Sequence, residues 1–208
     1  MEQKMGRFIA FEGIDGSGKS TQITRLARRI RSLDQRCYET REPTDGPIGS
    51  LVHQIMTGRI KADNRAVACL FAADRVDHLV NETDGILPML KQGTHVLTDR
   101  YYFSSYAYHS VDMDMDWVIQ ANAQAAALLR PTATVFIDVS PDVSLERIAK
   151  NRFHTELYET RERLTRTREL YFRAFEKQKD CENIIVLNGD VDEDSLEAAL
   201  WDKVRGYF

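Results

Sequence analysis

The chain has 208 residues and a formal net charge of −4, with 28 basic and 32 acidic residues. That length suits one domain with a full hydrophobic core. The two signs of charge are interspersed, unlike the field of a nucleic-acid-binding protein, and no apolar run is long enough to cross a bilayer. The N-terminus has no signal-peptide core and the three cysteines are widely spaced, which predicts a cytoplasmic protein without a zinc site or disulfide framework.

Short β-type runs alternate with longer helical patterns along the chain. We predict strands at residues 7–11, 37–41, 95–99, 134–139 and 184–187. Helical patterns occupy residues 18–33, 48–57, 65–80, 117–129, 144–150, 162–179 and 195–204. Such alternation predicts a single α/β domain over residues 1–208, with a five-stranded parallel sheet covered by helices on both faces. Ligands of such a sheet bind at the carboxyl ends of its strands.

A phosphate-binding loop follows the first predicted strand. The glycine-rich run matches the pattern G-x-x-x-x-G-K-[ST], whose backbone N–H groups surround a phosphate. In this pattern Lys19 reaches the outer phosphates, Ser20 is placed for Mg²⁺, and the dipole of the following helix adds positive potential. The sequence therefore predicts a nucleoside triphosphate site formed by Gly13, Ile14, Asp15, Gly16, Ser17, Gly18, Lys19, Ser20 and Thr21.

The second predicted strand ends in Arg41 and Glu42. An arginine and a carboxylate at this edge of the sheet suit an anionic substrate and its metal ion. A plain surface ion pair is the competing interpretation.

The predicted helix 65–80 carries Phe71 and Arg75 four residues apart, and therefore on one face. An aromatic ring one turn from a planar cation could stack on a nucleobase and donate to one of its carbonyl groups. Alternatively, Phe71 belongs to the hydrophobic core and Arg75 pairs with a carboxylate. We expect His78 to be structural or exposed.

Asp99 and Arg100 stand at the end of the third predicted strand, which we expect to neighbour the first. A carboxylate there can hold a water of Mg²⁺ or orient the attacking group, and an arginine can bind a phosphate through two hydrogen bonds. Ser105 and Tyr108 are three residues apart and are predicted to face the same cavity. The neighbouring aromatic residues could instead pack against the sheet: Tyr101, Tyr102 and Phe103.

The segment 150–168 mixes arginines with glutamates and has little continuous apolar face. Mixed charge of this kind is typical of a solvated helix with ion pairs between successive turns. Beside a phosphate loop, the alternative is an arginine-bearing lid that closes over the triphosphate. The residues alone leave both interpretations open.

Four motifs, in order along nearly the whole chain, resemble the thymidylate kinase family. They are FEGIDGSGKSTQ at 11–22, TREP at 40–43, LFAADR at 70–75 and DRYYFSSYAY at 99–108. The resemblance implies a three-layer α/β/α P-loop NTPase fold with a short helical lid. It also implies a Mg²⁺-dependent homodimer that transfers the γ-phosphoryl group of ATP to dTMP, giving dTDP for dTTP biosynthesis.

The same resemblance implies roles for the acceptor-site residues. Phe71 would stack on thymine and Arg75 would donate to its O4 atom. Ser105, with Ser104 beside it, would address the pyrimidine edge, and Tyr108 would disfavour a ribose 2′-hydroxyl.

The phosphates, the metal and adenine have their own implied partners. Arg41 and Arg100 would hold the dTMP phosphate, and Asp15 would meet the sugar 3′-hydroxyl or the metal shell. Arg147 would lie against adenine. The ligands of Mg²⁺ would be Ser20, Asp99 and Glu42.

Members of this family place a catalytic arginine either directly after the loop aspartate or in the lid. Here Gly16 follows Asp15, so the lid, about residues 150–163, should supply the arginine, as in bacterial-type members. The lid departs from the usual pattern, because Leu157 stands where relatives often have arginine.

We therefore expect Arg152 to supply the catalytic charge, with Arg161 and Arg163 behind it. The expected catalytic set is Lys19, Arg100, Asp15 and Arg152. The role of His109, where many bacterial relatives have Gln, stays open.

Two other functions stay open at this point. A deoxynucleoside kinase would share the phosphate loop, the Asp-Arg pair and an arginine lid. A non-catalytic nucleotide-binding protein would fit a lid that has lost its arginine.

Overall fold

The computed structural model of the protein describes residues 5–151 and 160–208. The described residues form one five-stranded sheet of order β2-β3-β1-β4-β5, in which every pairing is parallel. The strands are β1 (Phe8–Glu12), β2 (Cys37–Arg41), β3 (His95–Asp99), β4 (Ala133–Asp138) and β5 (Ile184–Asn188). The predicted α/β fold with a five-stranded parallel sheet is confirmed.

Helices connect successive strands and flank the sheet. Within the described ranges they are α1 (Lys19–Arg31), α2 (Pro47–Met56), α3 (Asn64–Val80), α4 (Ile86–Lys91), α5 (Tyr102–Tyr108), α6 (Met115–Ala121), α7 (Ala123–Leu128), α8 (Pro141–Asn151), α9 (Arg161–Gln178) and α10 (Glu193–Val204). Single 3₁₀ turns follow at His109–Val111 and Arg205–Tyr207.

The predicted helix 117–129 is in fact two helices, α6 and α7, which meet at Asn122. The buried Asn122 side chain donates to the carbonyl oxygen of Val118 (2.9 Å) and accepts from Arg75 of α3. This contact with a distant helix holds the junction, and a local helical pattern cannot indicate it. Two short helices, α4 and α5, lie outside the predicted ones, since segments of six and seven residues show little periodicity.

The hydrophobic core centres on β1, whose five residues are all buried. Aromatic rings from the turn after β3 and from α5 join it. Tyr101 packs edge-on against Phe8, with ring centroids 5.1 Å apart, and Tyr102 and Phe103 are at most 1% exposed. These rings therefore pack against the sheet, as the alternative interpretation proposed, and they anchor the chain that follows β3.

The strand order brings the carboxyl ends of β1, β3 and β2 side by side. In the parallel register Phe11 pairs with Asp99, and Asp99 pairs with Arg41. The chain leaves the three strands at the same edge of the sheet, so the phosphate loop after β1 and the turn after β3 meet there.

No helix in the described part of the chain is long and apolar enough to cross a membrane. The end of α8 at Asn151 and the start of α9 at Arg161 flank most of the predicted lid segment 150–163. Arg152 and Leu157 lie outside the described residues.

Candidate active site

The phosphate loop connects β1 to α1 and closes around the side chain of Lys19. Lys19 Nζ donates to the carbonyl oxygens of Gly13 (3.1 Å) and Ile14 (3.2 Å) and to Ser17 Oγ (3.3 Å). Burial, followed by the positive charge of Arg100, lowers the pKa of Lys19. A bound phosphate would oppose both effects, because it brings negative charge to a buried ammonium group.

Gly16 sits where a side chain would collide with α8. Its φ of +72° is in the left-handed region, and a Cβ atom there would lie 2.7 Å from the carbonyl oxygen of Ser144. Ser144 also donates from Oγ to the carbonyl oxygen of Asp15 (2.6 Å). The close approach of α8 therefore leaves no room for an arginine directly after Asp15.

Arg100 links the turn after β3 to the phosphate loop. Its Nη2 donates to Asp15 Oδ1 (2.6 Å), and its Nη1 donates to the carbonyl oxygen of Gly13 (3.3 Å). Tyr108 donates its hydroxyl to Asp15 Oδ2 (2.8 Å), and the guanidinium of Arg100 lies 4.8 Å from the Tyr108 ring centre. Burial raises the pKa of Tyr108, which keeps its hydroxyl neutral. Arg100 and Tyr108 are thus tied directly to the phosphate loop.

Ser20 and Asp99 form an oxygen pair beside the loop. Ser20 Oγ donates to Asp99 Oδ2 (2.6 Å), and Lys19 Nζ lies 4.0 Å from Asp99 Oδ1. The described residues contain no group of three or more His, Cys, Asp and Glu side chains that could hold a metal by themselves. Hydroxyl and carboxylate oxygens fit Mg²⁺, which typically keeps few protein ligands and completes its shell with phosphates and water.

Arg75 is almost completely buried and held from several sides. It donates from Nε to Glu42 Oε2 (2.7 Å), from Nη1 to Ser105 Oγ (3.0 Å), and from Nη2 to the carbonyl oxygen of Tyr101 (3.2 Å). Its side chain is 1% exposed, and Nη1 also donates to Asn122. Arg75 pairs with a carboxylate, as the alternative interpretation expected, yet it also lies on the wall of the site cavity.

Both carboxylate oxygens of Glu42 make contacts in this hydrogen-bond network around Arg75. Oε2 accepts from Arg75, and Oε1 lies 3.1 Å from His78 Nδ1. His78 is accordingly a buried structural residue. The predicted role of Glu42 as a metal ligand finds no support in these contacts, because both oxygens already face protein cations or donors.

Phe71 lies outside the hydrophobic core and lines the cavity. Its ring meets His109 edge-on, with centroids 5.1 Å apart. Burial, followed by the charge of Arg75, lowers the pKa of His109 to about 4, so the ring is neutral near pH 7. Phe71 and His109 together present an uncharged aromatic surface, which suits a nucleobase.

One cavity of about 950 Å³ joins the loop to the acceptor-side residues. The predicted residues that line it are Asp15, Gly16, Ser17, Gly18, Lys19, Ser20, Thr21, Arg41, Glu42, Phe71, Arg75, Asp99, Arg100, Ser104, Ser105, Tyr108 and Arg147. Sequence reasoning missed His53, Met56 and Thr57, which line it from α2 and from the residue that caps its C-terminus. Their spacing of three and four residues marks one helical face, and this was the available signal.

Two arginines that line the cavity, Arg41 and Arg147, have protein partners. Arg41 donates from Nη2 to both carboxylate oxygens of Asp45 (2.9 and 3.0 Å) in an exposed ion pair. Arg147 donates to the carbonyl oxygen of Gly189 (2.9 Å) in the loop after β5. The exposed Arg41 pair is worth little in water, so a phosphate could take the place of Asp45.

The described arginines at the start of α9 pair with carboxylates. Arg161 donates from Nε and Nη2 to Asp142 (2.8 and 3.1 Å), and Arg163 donates to Asp112 (2.9 Å). Neither is among the described residues that line the cavity. Arg152, the expected catalytic residue, lies outside the described ranges.

Sequence reasoning also missed Glu12, the last residue of β1. Its carboxylate is fully buried and accepts from the backbone N–H groups of Tyr101 (2.9 Å) and Ser104 (3.1 Å). Ser104 Oγ and the Tyr171 hydroxyl donate to its other oxygen (2.6 and 3.0 Å). The position of Glu12, directly before the first loop glycine, was the only sequence signal.

A phosphate loop after the central strand of a parallel sheet, facing an acceptor pocket of arginines and aromatic rings, defines a P-loop phosphotransferase. A family model described as "Thymidylate kinase" matches residues 11–195. A "Probable thymidylate kinase" of Pyrobaculum calidifontis is 41% identical over 165 residues, covering 79% of this chain and 80% of that protein. Another "Probable thymidylate kinase", from Pyrococcus horikoshii, is 37% identical over 177 residues, covering 82% of this chain and 83% of that protein. The chain belongs to the thymidylate kinase family.

The shifted pKa of His109 predicts a pH-dependent stability. The unfolded chain binds a proton below about pH 6.5, whereas folded His109 stays neutral down to about pH 4. The free energy of unfolding should therefore fall as pH drops through this window, by at most about 1.4 kcal/mol per pH unit from this residue. Urea unfolding at pH 7 and at pH 5 should show that the free energy of unfolding falls less between these two pH values for His109→Gln than for wild type. Equal losses would contradict the prediction.

Proposed function

We propose that this chain phosphorylates dTMP in the 950 Å³ cavity, with ATP on the phosphate loop and dTMP on the α3 and α5 side. Transfer of the γ-phosphoryl group of ATP to dTMP, giving dTDP, is the reaction of the family to which it belongs. The observation that carries the geometry is the 2.6 Å contact between Arg100 and Asp15. It joins an acceptor-side arginine to the loop that binds the donor, so the two phosphates would meet there.

The base of dTMP would lie against Phe71, opposite the buried guanidinium of Arg75. Phe71 is partly exposed on the cavity wall, and stacking on such a ring stabilises a bound base by about 1–3 kcal/mol. Arg75 is held rigid by Glu42 and Ser105, and one N–H of Nη2 remains beyond the bond to Tyr101 for the base O4 atom. A fixed donor of this kind rejects bases that lack the matching carbonyl group.

The sugar and phosphate of dTMP would bind between Asp15, Tyr108 and Arg100. Asp15 and Tyr108 would bracket the sugar, with Asp15 accepting from its 3′-hydroxyl and Tyr108 disfavouring a 2′-hydroxyl. Arg100 would hold the phosphate, and Arg41 would exchange Asp45 for it at the exposed end.

In the reaction, an oxygen of the dTMP phosphate attacks the γ-phosphorus of ATP. The bond from that phosphorus to the β,γ-bridging oxygen breaks, and ADP leaves with the electron pair. The nucleophile is already anionic near neutral pH, so no strong general base is needed. Catalysis then depends on positioning by Arg100 and on charge neutralisation by Lys19.

We propose Mg²⁺ as the cofactor, held by Ser20 and by Asp99 together with the phosphates. The ion would supply further charge neutralisation on the β- and γ-phosphate oxygens. The supporting observation is the Ser20–Asp99 oxygen pair beside Lys19. Glu42 is better assigned to positioning Arg75, since its carboxylate already contacts Arg75 and His78.

Assay of several acceptors with Mg-ATP tests the proposed function directly. We expect dTMP to be the preferred substrate over dUMP, dCMP, dAMP and thymidine, measured as kcat/KM. Preference for thymidine would instead indicate a deoxynucleoside kinase. Binding of dTMP without turnover at high enzyme concentration would indicate a non-catalytic nucleotide-binding protein.

We further propose that residues 150–163 form the lid and that Arg152 supplies the catalytic charge missing at Gly16. The support is the collision that any side chain at Gly16 would make with Ser144. Arg161 and Arg163, in contrast, pair with Asp142 and Asp112.

For Arg152→Ala we expect kcat to fall about a thousandfold, as for other arginines that neutralise charge in phosphoryl transfer. The matched controls Arg161→Ala and Arg163→Ala should stay within about threefold of wild type in steady-state assays. The assignment is wrong if either control loses activity while Arg152→Ala keeps it.

We propose a homodimer that forms through α3. The exposed residues of this helix include a small, apolar set at helical spacing, namely Ala66, Cys69, Ala73 and Val80. Such residues let two helices approach closely. Sedimentation equilibrium should give twice the 23.9 kDa chain mass, whereas a monomer at assay concentrations would contradict the proposal.

We also propose a cytoplasmic location. Cys37, Cys69 and Cys181 are all free thiols, as is usual in reducing compartments. Cell fractionation with an antibody against the chain tests it, and recovery outside the cytoplasm would contradict it.

A further inference from the structure

Glu12 is a buried carboxylate that the mechanism above does not use. It is 0% exposed and is not among the described residues that line the cavity, so it cannot touch a substrate. Burying a carboxylate is unfavourable unless hydrogen bonds compensate it, and its pKa is indeed raised by burial. A costly group in this position, one residue before the phosphate loop, calls for a physical explanation.

The partners of Glu12 come from the segment that carries Arg100 and from α9. Oε1 accepts from the backbone N–H groups of Tyr101 (2.9 Å) and Ser104 (3.1 Å). Oε2 accepts from Ser104 Oγ (2.6 Å) and from the Tyr171 hydroxyl (3.0 Å). Glu12 therefore fixes the backbone directly after Arg100 at two points.

Arg100 needs such support because its backbone is in an unfavourable conformation. Its φ is +75°, in the left-handed region that residues with a Cβ atom rarely adopt. Its own N–H donates to the carbonyl oxygen of Phe11 (2.9 Å), and the next N–H, of Tyr101, donates to Glu12. Phe11 and Glu12, the last two residues of β1, thus hold the turn that directs the Arg100 side chain towards the phosphate loop.

The guanidinium of Arg100 is connected to Glu12 through one hydroxyl group. Arg100 Nη1 donates to Ser104 Oγ (3.0 Å), and Ser104 Oγ in turn donates to Glu12 Oε2. The charge of Arg100 is also among the influences that lower the pKa of Glu12 against the effect of burial. Glu12 therefore acts on both the backbone and the side chain of Arg100.

We propose that Glu12 is a positioning residue that orients Arg100 for binding of the acceptor phosphate. The proposal rests on the proposed function, in which Arg100 holds the phosphate of dTMP. ATP would be bound mainly by Lys19 and the loop N–H groups. Lys19 donates to Gly13, Ile14 and Ser17 rather than to Glu12, whose charge is the smallest of the main influences on the pKa of Lys19. Loss of the Glu12 carboxylate should therefore affect the acceptor much more than the donor.

The hydrogen count explains why a carboxylate is suited to this place. Glu12 Oε2, Ser104 Oγ and the Tyr171 oxygen form a triangle with sides of 2.6, 2.9 and 3.0 Å. The two hydroxyl groups supply two hydrogens, and an acceptor-only carboxylate leaves Ser104 a lone pair for Arg100. In Glu12→Gln, an amide N–H would compete with Arg100 for the same Ser104 oxygen.

The test measures steady-state kinetics of Glu12→Gln, Arg100→Lys and the double variant. For Glu12→Gln we expect KM for dTMP to rise about tenfold or more and kcat to fall, with KM for ATP within about twofold of wild type. In the Arg100→Lys background, adding Glu12→Gln should change KM for dTMP and kcat by less than about twofold each. The reason is that the effects of coupled residues are not additive.

Glu182→Gln is the matched control. Glu182 also has an almost completely buried side chain (1% exposed) and accepts from a tyrosine, Tyr102 (2.6 Å), and from Arg130, but it lies just before β5 and is not among the described residues that line the cavity. We expect its dTMP kinetics to match wild type. Equal effects of Glu182→Gln and Glu12→Gln would show general loosening of the fold and overturn the proposal.

The outcomes separate this proposal from the one on which it rests. An unchanged KM and kcat for dTMP in Arg100→Lys would overturn the role of Arg100 itself. If Arg100→Lys impairs dTMP kinetics and the fold-changes of the two single variants multiply fully in the double variant, only the positioning role of Glu12 is overturned. If Glu12→Gln does not fold, Tyr171→Phe removes one donor from the same carboxylate. It should then raise KM for dTMP a few-fold without changing KM for ATP, and an unchanged KM for dTMP would overturn the proposal.

Discussion

The ion pair between Arg100 and Asp15 is the contact on which the active site depends. It exists because β1 and β3 are adjacent and parallel, with Phe11 opposite Asp99. The chain therefore leaves both strands at the same edge of the sheet, entering the phosphate loop after Glu12 and turning at Arg100 with a φ of +75°. The phosphate loop and Arg100 are joined in this way by direct hydrogen bonds, and a fixed geometry between donor and acceptor groups is what phosphoryl transfer requires.

Protein acceptors hold the cationic side chains of the site in place. Lys19 is held by loop carbonyl oxygens, Arg75 by Glu42, and Arg100 by Asp15. Each of these three cations thus has a protein acceptor, which offsets the cost of removing its charge from water. In the proposed reaction, groups fixed in this way would need little reorganisation as charge shifts between the phosphates, which would favour the transition state.

Local patterns predicted most of the elements and most of the cavity wall. The glycine spacing of the loop, the Phe71–Arg75 spacing and the Asp99-Arg100 pair are all short-range signals. Three features depend on residues 30 or more positions away: the helix break at Asn122, the hydrogen bond from Arg75 to Glu42, and the burial of Glu12. Such contacts exist only after the sheet has assembled, so a single sequence without pairing information could not indicate them.

By itself the sequence determined the fold class, the phosphate loop and the family, because each is encoded by residue types at fixed local spacing. The tertiary structure decided which charges meet. It assigned Asp15 to Arg100, turned Glu42 towards Arg75 and His78, and placed the backbone of Ser144 against Gly16. The reason is physical, since strand order and helix approach set the distances and the burial of residues that are remote in the chain, and Coulomb and steric energies depend on both.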